Sequence, residues 1–467
     1  MDWQQLAARM DQLNEYDREP VPESRLQGFG RFAGLFAGEH VAATEFVIGA
    51  LLVLHGVTAK DLFLGLLIGN VLAILSWTLL CTPIAVRTRL TLYWYARRIC
   101  GPGLMSIYNV VFAVLFCILA SAMVSVTATA AGLPFGVAAP QLSDVLPPSA
   151  AWAAIAFLLG LLITALAILG FEKLAKFAEI CSPWLITVFF AGALALLPGL
   201  GVKSDFSNFW EIAETRIWTG QTIAGQERWG LWHIVFFTWF CNMPMHFGLT
   251  DMALFRFARK SWYGLASATG MLMGHMGAWI CSGIMIAAVN REMHPGMMAF
   301  EAVGWAGPLA VAIAGWTTAN PTLYRAGLAL QAASPNWPRW KVTAAAGLAM
   351  TTLACFPLFV NRLNDMVALN GIFLMPIGAI VLAEHWIFPR LGLEQYQAEK
   401  QGCILNWRAL AVWAGAVVFC LVVLERFGVH LFFRSLPGYL LALAAYVALT
   451  AAFSKKAMPA ARPAMGD

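Results

Sequence analysis

Charge is what this 467-residue sequence has least of: Asp, Glu, Lys and Arg together make up 12% of it. Soluble domains carry about a quarter of their residues charged, so a string of such domains is excluded. A nucleic-acid surface is excluded too, because the net charge of +5 comes with no basic cluster interleaved with aromatics. Paired cysteines are also missing. The nine Cys are scattered, several of them (Cys117, Cys281, Cys355, Cys420) inside apolar runs, and no CxxC occurs. Neither a disulfide framework nor a thiolate metal site is expected. No HExxH pair is present, and no soluble domain interrupts the apolar runs. The opening MDWQQLAARMDQLNEYDREPVPESRLQG has no basic start followed by an apolar core, so it reads as a cytosolic tail rather than a cleavable signal peptide.

What is present is apolar. Hydrophobic residues make up 60%, mean hydropathy is +0.70, and 19 Trp and 31 Phe suit interfacial belts and packed spans. A bilayer takes roughly 20 apolar residues to cross. Twelve spans are expected, at about 32–56, 61–84, 103–131, 150–170, 176–198, 230–255, 263–289, 304–330, 342–361, 366–387, 408–426 and 434–453. With the N-terminus inside, 22 of the 30 Lys and Arg fall in cytosolic segments, Arg256 and Arg325 counted among them. The opposite orientation inverts that bias, so both termini are placed in the cytosol of a cell whose cytoplasmic membrane holds the chain. The expected divisions are a tail (1–29), a first five-helix unit (30–200), a surface connection (201–229), a second five-helix unit (230–388), two peripheral helices (389–454) and a tail (455–467).

Three spans carry residues that a bilayer does not welcome. The first, LFAGEHVAATEFVIGALLVLHG from Leu35 to Gly56, holds Glu39, His40 and Glu45. A charge near the bilayer centre costs about 2.5–3.5 kcal/mol on insertion scales, so such residues normally face a wet cavity or a protein interior. Gly34, Gly38 and the pair Ala42–Ala43 leave room for a backbone break and for close approach by another helix. The sixth span, FTWFCNMPMHFGLTDMALFRF, has Pro244 and Gly248 amid Asn242, His246 and Asp251. Breaks in spans 1 and 6 correspond if spans 1–5 and 6–10 are repeats, and an odd number of spans per repeat makes them inverted in the membrane. Such matched interruptions point to a transport site near the midplane. In the eighth span, Thr317, Asn320 and Tyr324 share one helical face, with Thr318 one step round. Their oxygens suit an alkali cation. The plainer alternatives are a signal-anchor helix, packing histidines, and threonines bonded to their own helix.

Several stretches, in order and spacing, resemble the nucleobase:cation symporter-1 family, the purine–cytosine permeases. They are EYDREPVPESR, GVTAKDLFLGLLIGN, WYARRICGPG, ALFRFARK and WTTANPTLYRAGLAL, with the likeness running from about Glu15 to about Arg390. The resemblance implies an all-α polytopic membrane protein of twelve transmembrane helices. Its fold would be the LeuT-like 5+5 inverted repeat, with helices 1 and 6 broken and two helices peripheral. It implies symport of a small nitrogenous solute with sodium or a proton, with no cofactor, no nucleic acid and no obligatory protein partner. The ion site would use carbonyls near Glu39 and Ala42, plus Ala314, Thr317 and Thr318. Sodium-dependent members have a small residue where this chain has Glu39, which keeps proton coupling open. The family's Gln and Trp of the third helix fall on Leu115 or Phe116, then Ile118 or Leu119; its Asn of the eighth falls on Ala319, beside Asn320. The substrate side would then comprise His40, Ala43, Phe116, His246, Phe247, Gly248, Ala319 and Asn320. Phe116 or Phe247 would serve as the aromatic shelf, and His40, His246 and Asn320 as the hydrogen-bonding fork.

Two other readings stand beside it. NMPMH is similar to the Met-Pro-His break of the natural-resistance-associated macrophage protein metal transporters, although the first span lacks their Asp-Pro-Gly-Asn. Glu39, His40 and His246 could also make an intramembrane acid–base or metal centre, with no effector domain attached.

Overall fold

Apolar runs with no water to satisfy their backbones fold as helices, and each of the twelve expected spans coincides with helical chain. The structure is a computed structural model that describes residues 15–141, 144–223, 225–289, 294–334 and 336–453. The expectations for the far tails, with Arg9, Lys455, Lys456 and Arg462, lie outside the described residues.

In chain order the helices are α1 (Phe29–His40), α2 (Thr44–Leu54), α3 (Ala59–Thr88), α4 (Pro102–Ala131), α5 (Ala150–Ile168) and α6 (Phe171–Leu200). Then come α7 (Leu231–Phe240), α8 (Met243–His246), α9 (Met252–Phe255), α10 (Ser261–Val289), α11 (Pro295–Val303) and α12 (Ala306–Ala333). The last four are α13 (Arg339–Ala354), α14 (Leu363–Leu391), α15 (Trp407–Arg426) and α16 (Leu431–Phe453). Among the described residues, eight helices are long and apolar enough to cross a membrane, or nine when the bent pair α1 and α2 counts as one span. No strand occurs among the described residues, only isolated bridges.

Local chemistry sets the ends. Thr58 Oγ1 accepts from Asp61 N–H at 3.1 Å to cap α3, and Ser149 Oγ accepts from Trp152 N–H at 3.0 Å to cap α5. Pro102 opens α4 after Gly101, whose φ of 84° a side chain would resist. On α3, Leu64, Leu67, Ile68, Val71 and Leu75 form one exposed apolar stripe at helical spacing, the face a lipid tail would meet.

The two most buried long elements, α4 and α12, pack along each other and form the scaffold against which the broken helices sit. At one end, residues 15–27 form a strap. The Glu15 carboxylate accepts from Phe171 N–H (3.1 Å) and from the Tyr324 hydroxyl (2.7 Å), while Arg256 Nη1 donates to the Tyr16 carbonyl (2.6 Å). At the other end the connection 201–229 lies against α2 and α3: Ala59 N–H donates to the Trp218 carbonyl and Ile223 N–H to the Leu54 carbonyl, both at 3.1 Å. Two of the arginines counted among the cytosolic charges lie inside the bundle. Arg256 and Arg325 are both fully buried, each held by partners distant in sequence.

Candidate functional site

The first span breaks as expected: α1 and α2 meet at 55° across Val41–Ala43. The glycines before the break serve close approach. A Cβ on Gly38 would lie 2.8 Å from that of Ala178 on α6, so α1 can pack there only without a side chain. The sixth span breaks twice, between α7 and α8 and again between α8 and α9. Pro244 lies in the first turn of α8, and Leu249 follows the helix with φ of 59°. A leucine in that left-handed region costs about 1–3 kcal/mol, a strain tolerated where the turn has work to do. The turn brings Asp251 to the head of α9, facing α12.

There Arg325 joins the two breaks. Its Nη1 and Nη2 donate to the Glu39 carboxylate at 2.6 and 3.1 Å, and its Nε and Nη2 donate to Asp251 Oδ1 at 2.9 and 2.5 Å. The other Asp251 oxygen accepts from Trp77 Nε1 at 2.6 Å. Trp77 begins a π-turn in α3, a local unwinding of the kind that recurs at functional sites. All three charged side chains are buried. Burying ions costs several kcal/mol each and is repaid only with such complete hydrogen bonding. Two carboxylates against one guanidinium leave this cluster with one uncompensated negative charge when all three are ionised.

Glu39 also faces α12 through its backbone. Its carbonyl accepts from Thr318 Oγ1 at 3.0 Å; Thr318 Oγ1 and Thr317 Oγ1 lie 2.8 and 3.0 Å from the Ala314 carbonyl. Four oxygens of the implied ion site are thus gathered at the end of α1. The Ala42 carbonyl accepts from Glu45 N–H at 3.2 Å.

Beside them lies a cavity of about 50 Å³, lined by Glu39, His40, Glu45, Asn242, His275 and Thr318 among others. By the measure that gives one water about 10–15 Å³, it holds roughly three to five waters. His40 Nδ1 donates to the Phe36 carbonyl at 2.9 Å, which leaves Nε2 as an acceptor. Glu45 accepts from Trp279 Nε1 and, among the described residues, meets no cationic side chain. His275 stacks on Trp279 at 4.6 Å, its Nε2 lies 3.4 Å from Asn242 Nδ2, and its Nδ1 is buried without a partner. The His40 and His275 rings are 5.1 Å apart. Gly274 permits this arrangement, since a Cβ there would come within 2.1 Å of the His40 carbonyl oxygen.

The other expected residues lie elsewhere. Ala43, Phe116, His246, Phe247, Gly248, Ala319 and Asn320 are buried but outside the lining of this cavity. His246 packs its ring on Trp77 at 4.7 Å and sets Nε2 3.0 Å from the Trp239 carbonyl. Phe116 stacks on Phe112, and Phe247 packs on Trp239 and Tyr439. The Asn320 amide is buried with neither atom paired. Sequence reasoning did not select Arg325, His275 or Trp279. The available signal for His275 was a histidine among closely spaced glycines (GMLMGHMGAW) in an apolar span.

Solved structures share this architecture. The chain is similar to Mhp1, a nucleobase-cation-symport-1 family transporter, in a closed conformation with bromovinylhydantoin bound: TM-score 0.70, 15% identity, over 93% of this chain and 95% of that one. A Na+-coupled sialic acid symporter in a substrate-bound, outward-open state matches at TM-score 0.68 and 14% identity, over 97% and 95%. The manganese transporter of Eremococcus coleocola matches at TM-score 0.52 and 13% identity, over 93% and 97%. No protein-family model matches the sequence, and neither does any curated protein sequence. At these identities the likeness is one of fold. It defines the class: an all-α membrane protein with the LeuT-like transporter fold, its first and sixth spans broken. Mhp1 is the kind of protein to which the sequence resemblance pointed.

Proposed function

We propose that this chain is a secondary active transporter. It carries a small nitrogenous solute, a nucleobase or a related heterocycle such as cytosine, a purine, hydantoin or allantoin, across the cytoplasmic membrane together with a monovalent cation. Both termini face the cytosol. One observation carries the reading: two broken helices meet at a buried charged cluster beside a cavity lined by Glu39, His40, Glu45 and Asn242, in a fold shared with solved symporters. Unwound backbone at membrane depth is tolerated where it lines such a cavity.

The charges support cation coupling. With all three side chains ionised, the Glu39–Arg325–Asp251 cluster carries one negative charge in excess, and a single sodium ion at the oxygens of Glu39, Ala314, Thr317 and Thr318 would balance it. Glu45 is the candidate for a proton, because its carboxylate meets the cavity without a cationic partner. The solute sits in the cavity against His40, His275 and Asn242, which line it side by side. Their donor and acceptor atoms match an amide-like edge and leave a cost of about 1–3 kcal/mol when stranded. Transition-metal import, the other reading of the Met-Pro-His break, has less support: the His, Cys and carboxylate ligand atoms around this cavity do not converge as a metal set among the described residues.

A thermal-shift screen of the purified protein against nucleobases, ureides and metals, with and without sodium, identifies the solute, because a ligand of the folded form raises the melting temperature by mass action. Uptake of that solute into proteoliposomes under a sodium or proton gradient then tests transport. Binding without gradient-driven accumulation would refute the symporter.

A further inference from the structure

Three of the eight histidines lie at the end of the bundle opposite the N-terminal strap, far in sequence from one another: His55 closes α2, His233 sits in the first turn of α7, and His430 precedes α16. Glu227, at the end of the surface connection, joins them. One donor atom from each of Glu227, His233 and His430 falls within 4.8 Å of the others, and His430 Nε2 lies 3.6 Å from Glu227 Oε2. The geometry points to a binding site for a divalent transition ion of the zinc class, ligated by Glu227, His233 and His430. This site is separate from the central cavity and does not rest on the transport reading.

A zinc-class ion sits about 2.0–2.2 Å from nitrogen and oxygen donors, so tetrahedral ligands lie roughly 3.3–3.6 Å apart. The His430–Glu227 pair already meets that spacing, and His233, within 4.8 Å of both, closes by a small side-chain rotation. Two imidazoles and a carboxylate form a borderline set that suits Zn²⁺, Co²⁺ or Ni²⁺ rather than Ca²⁺ or Mg²⁺. Three protein ligands leave a fourth position for water.

The surroundings hold the ligands in place. Phe433 packs on both His233 and His430, at 5.1 and 5.7 Å, which walls the site on its apolar side. His55 Nδ1 donates to the Glu227 carbonyl at 2.7 Å while its ring lies on Trp229 at 3.9 Å, so His55 positions the Glu227 backbone rather than ligating. The Nδ1 atoms of His233 and His430 face the Gly230 and Phe432 N–H groups, both at the long distance of 3.3 Å. Binding through Nε2 moves each ring proton to Nδ1 and releases these two weak contacts. In exchange the ion fastens the surface connection and the α15–α16 loop to the start of the broken sixth span.

The test uses the full chain, purified in detergent and free of any polyhistidine tag. Titration with Co²⁺ should produce the ligand-field absorption of a four- or five-coordinate site, saturating at one equivalent and abolished by Zn²⁺. His430→Asn keeps a short acceptor for Phe432 N–H but presents no imidazole, and His233→Gln is the independent second variant. Each should weaken Co²⁺ binding by more than the roughly 10–100-fold that loss of an outer-shell partner costs. Zn²⁺ should raise the melting temperature of the wild type and not that of either variant. Absence of a saturable Co²⁺ spectrum in the wild type, or equal Co²⁺ affinity in the wild type and both variants, overturns the site.

Discussion

Arg325 and Glu39 meet as a fork, Nη1 to Oε1 at 2.6 Å and Nη2 to Oε2 at 3.1 Å, across 286 residues of sequence. The same guanidinium holds Asp251, so one side chain of the unbroken α12 fixes the positions of both broken spans. Glu39 has a double part in this. Its carboxylate belongs to the charge cluster, whereas its carbonyl belongs to the oxygen cluster with Thr318. A change in charge balance at one cluster is therefore felt through a single residue at the other.

Removing the guanidinium should be severe. Arg325→Met leaves two buried carboxylates facing each other, and breaking such a group costs about 3–5 kcal/mol. The triple variant Arg325→Met, Glu39→Gln, Asp251→Asn removes all charge and should recover most of that loss. Thermal unfolding of the detergent-purified proteins checks both. Equal melting temperatures for wild type and Arg325→Met would show that the cluster does not hold the breaks together.

The breaks themselves were legible because they are written locally. Pro244, Gly248 and the glycines around Glu39 interrupt apolar runs within a window of a few residues, and hydropathy places the helices around them. Arg325 was not legible. It sits near the end of a span, where one arginine reads as a cytosolic flank, and its partners are 74 and 286 residues away. His246 shows the converse: a polar residue inside a break reads as a ligand, and its imidazole here meets the carbonyl of Trp239, seven residues before it. Which side of a distorted helix faces a cavity depends on packing between spans, and local spacing does not contain that.

Glu45 and Glu39 should separate in function. Glu39→Gln breaks the fork and should lower stability, since Arg325 then has only Asp251. Glu45→Gln keeps an oxygen for Trp279 Nε1 and should leave the melting temperature nearly unchanged. If Glu45 carries the coupling charge, this variant still exchanges solute across proteoliposomes but no longer accumulates it against a gradient. Concentrative uptake at the wild-type level would reduce Glu45 to a packing role.

The threonine pair bears on the ion. Thr318→Ala removes one oxygen of the cluster and its bond to the Glu39 carbonyl, so sodium affinity should fall by at least about tenfold, a loss that even outer-shell changes produce at metal sites. The double variant with Thr317→Ala should be nearly insensitive to sodium. Sodium dependence is read from solute-binding isotherms at a series of sodium concentrations. Solute binding by the wild type that ignores sodium altogether would assign coupling to a proton instead.

His40, His246 and His275 make the sharpest comparison, because only His40 and His275 line the cavity. His275→Phe preserves a ring to stack on Trp279 but removes the unpartnered Nδ1 and the contact with Asn242. It should weaken solute binding by about 1–3 kcal/mol, the usual cost of stranding a buried partner. His40→Phe should do the same, with some added loss of stability from the bond to the Phe36 carbonyl. His246→Phe keeps the ring contact with Trp77 and gives up one bond, to the Trp239 carbonyl, so it should cost about 1 kcal/mol of stability and leave solute affinity alone. Calorimetric titration of the solute into each variant, alongside its melting temperature, separates binding from folding. Full affinity in His275→Phe with loss of binding in a well-folded His246→Phe would reverse the assignment and move the solute to the other side of Trp77.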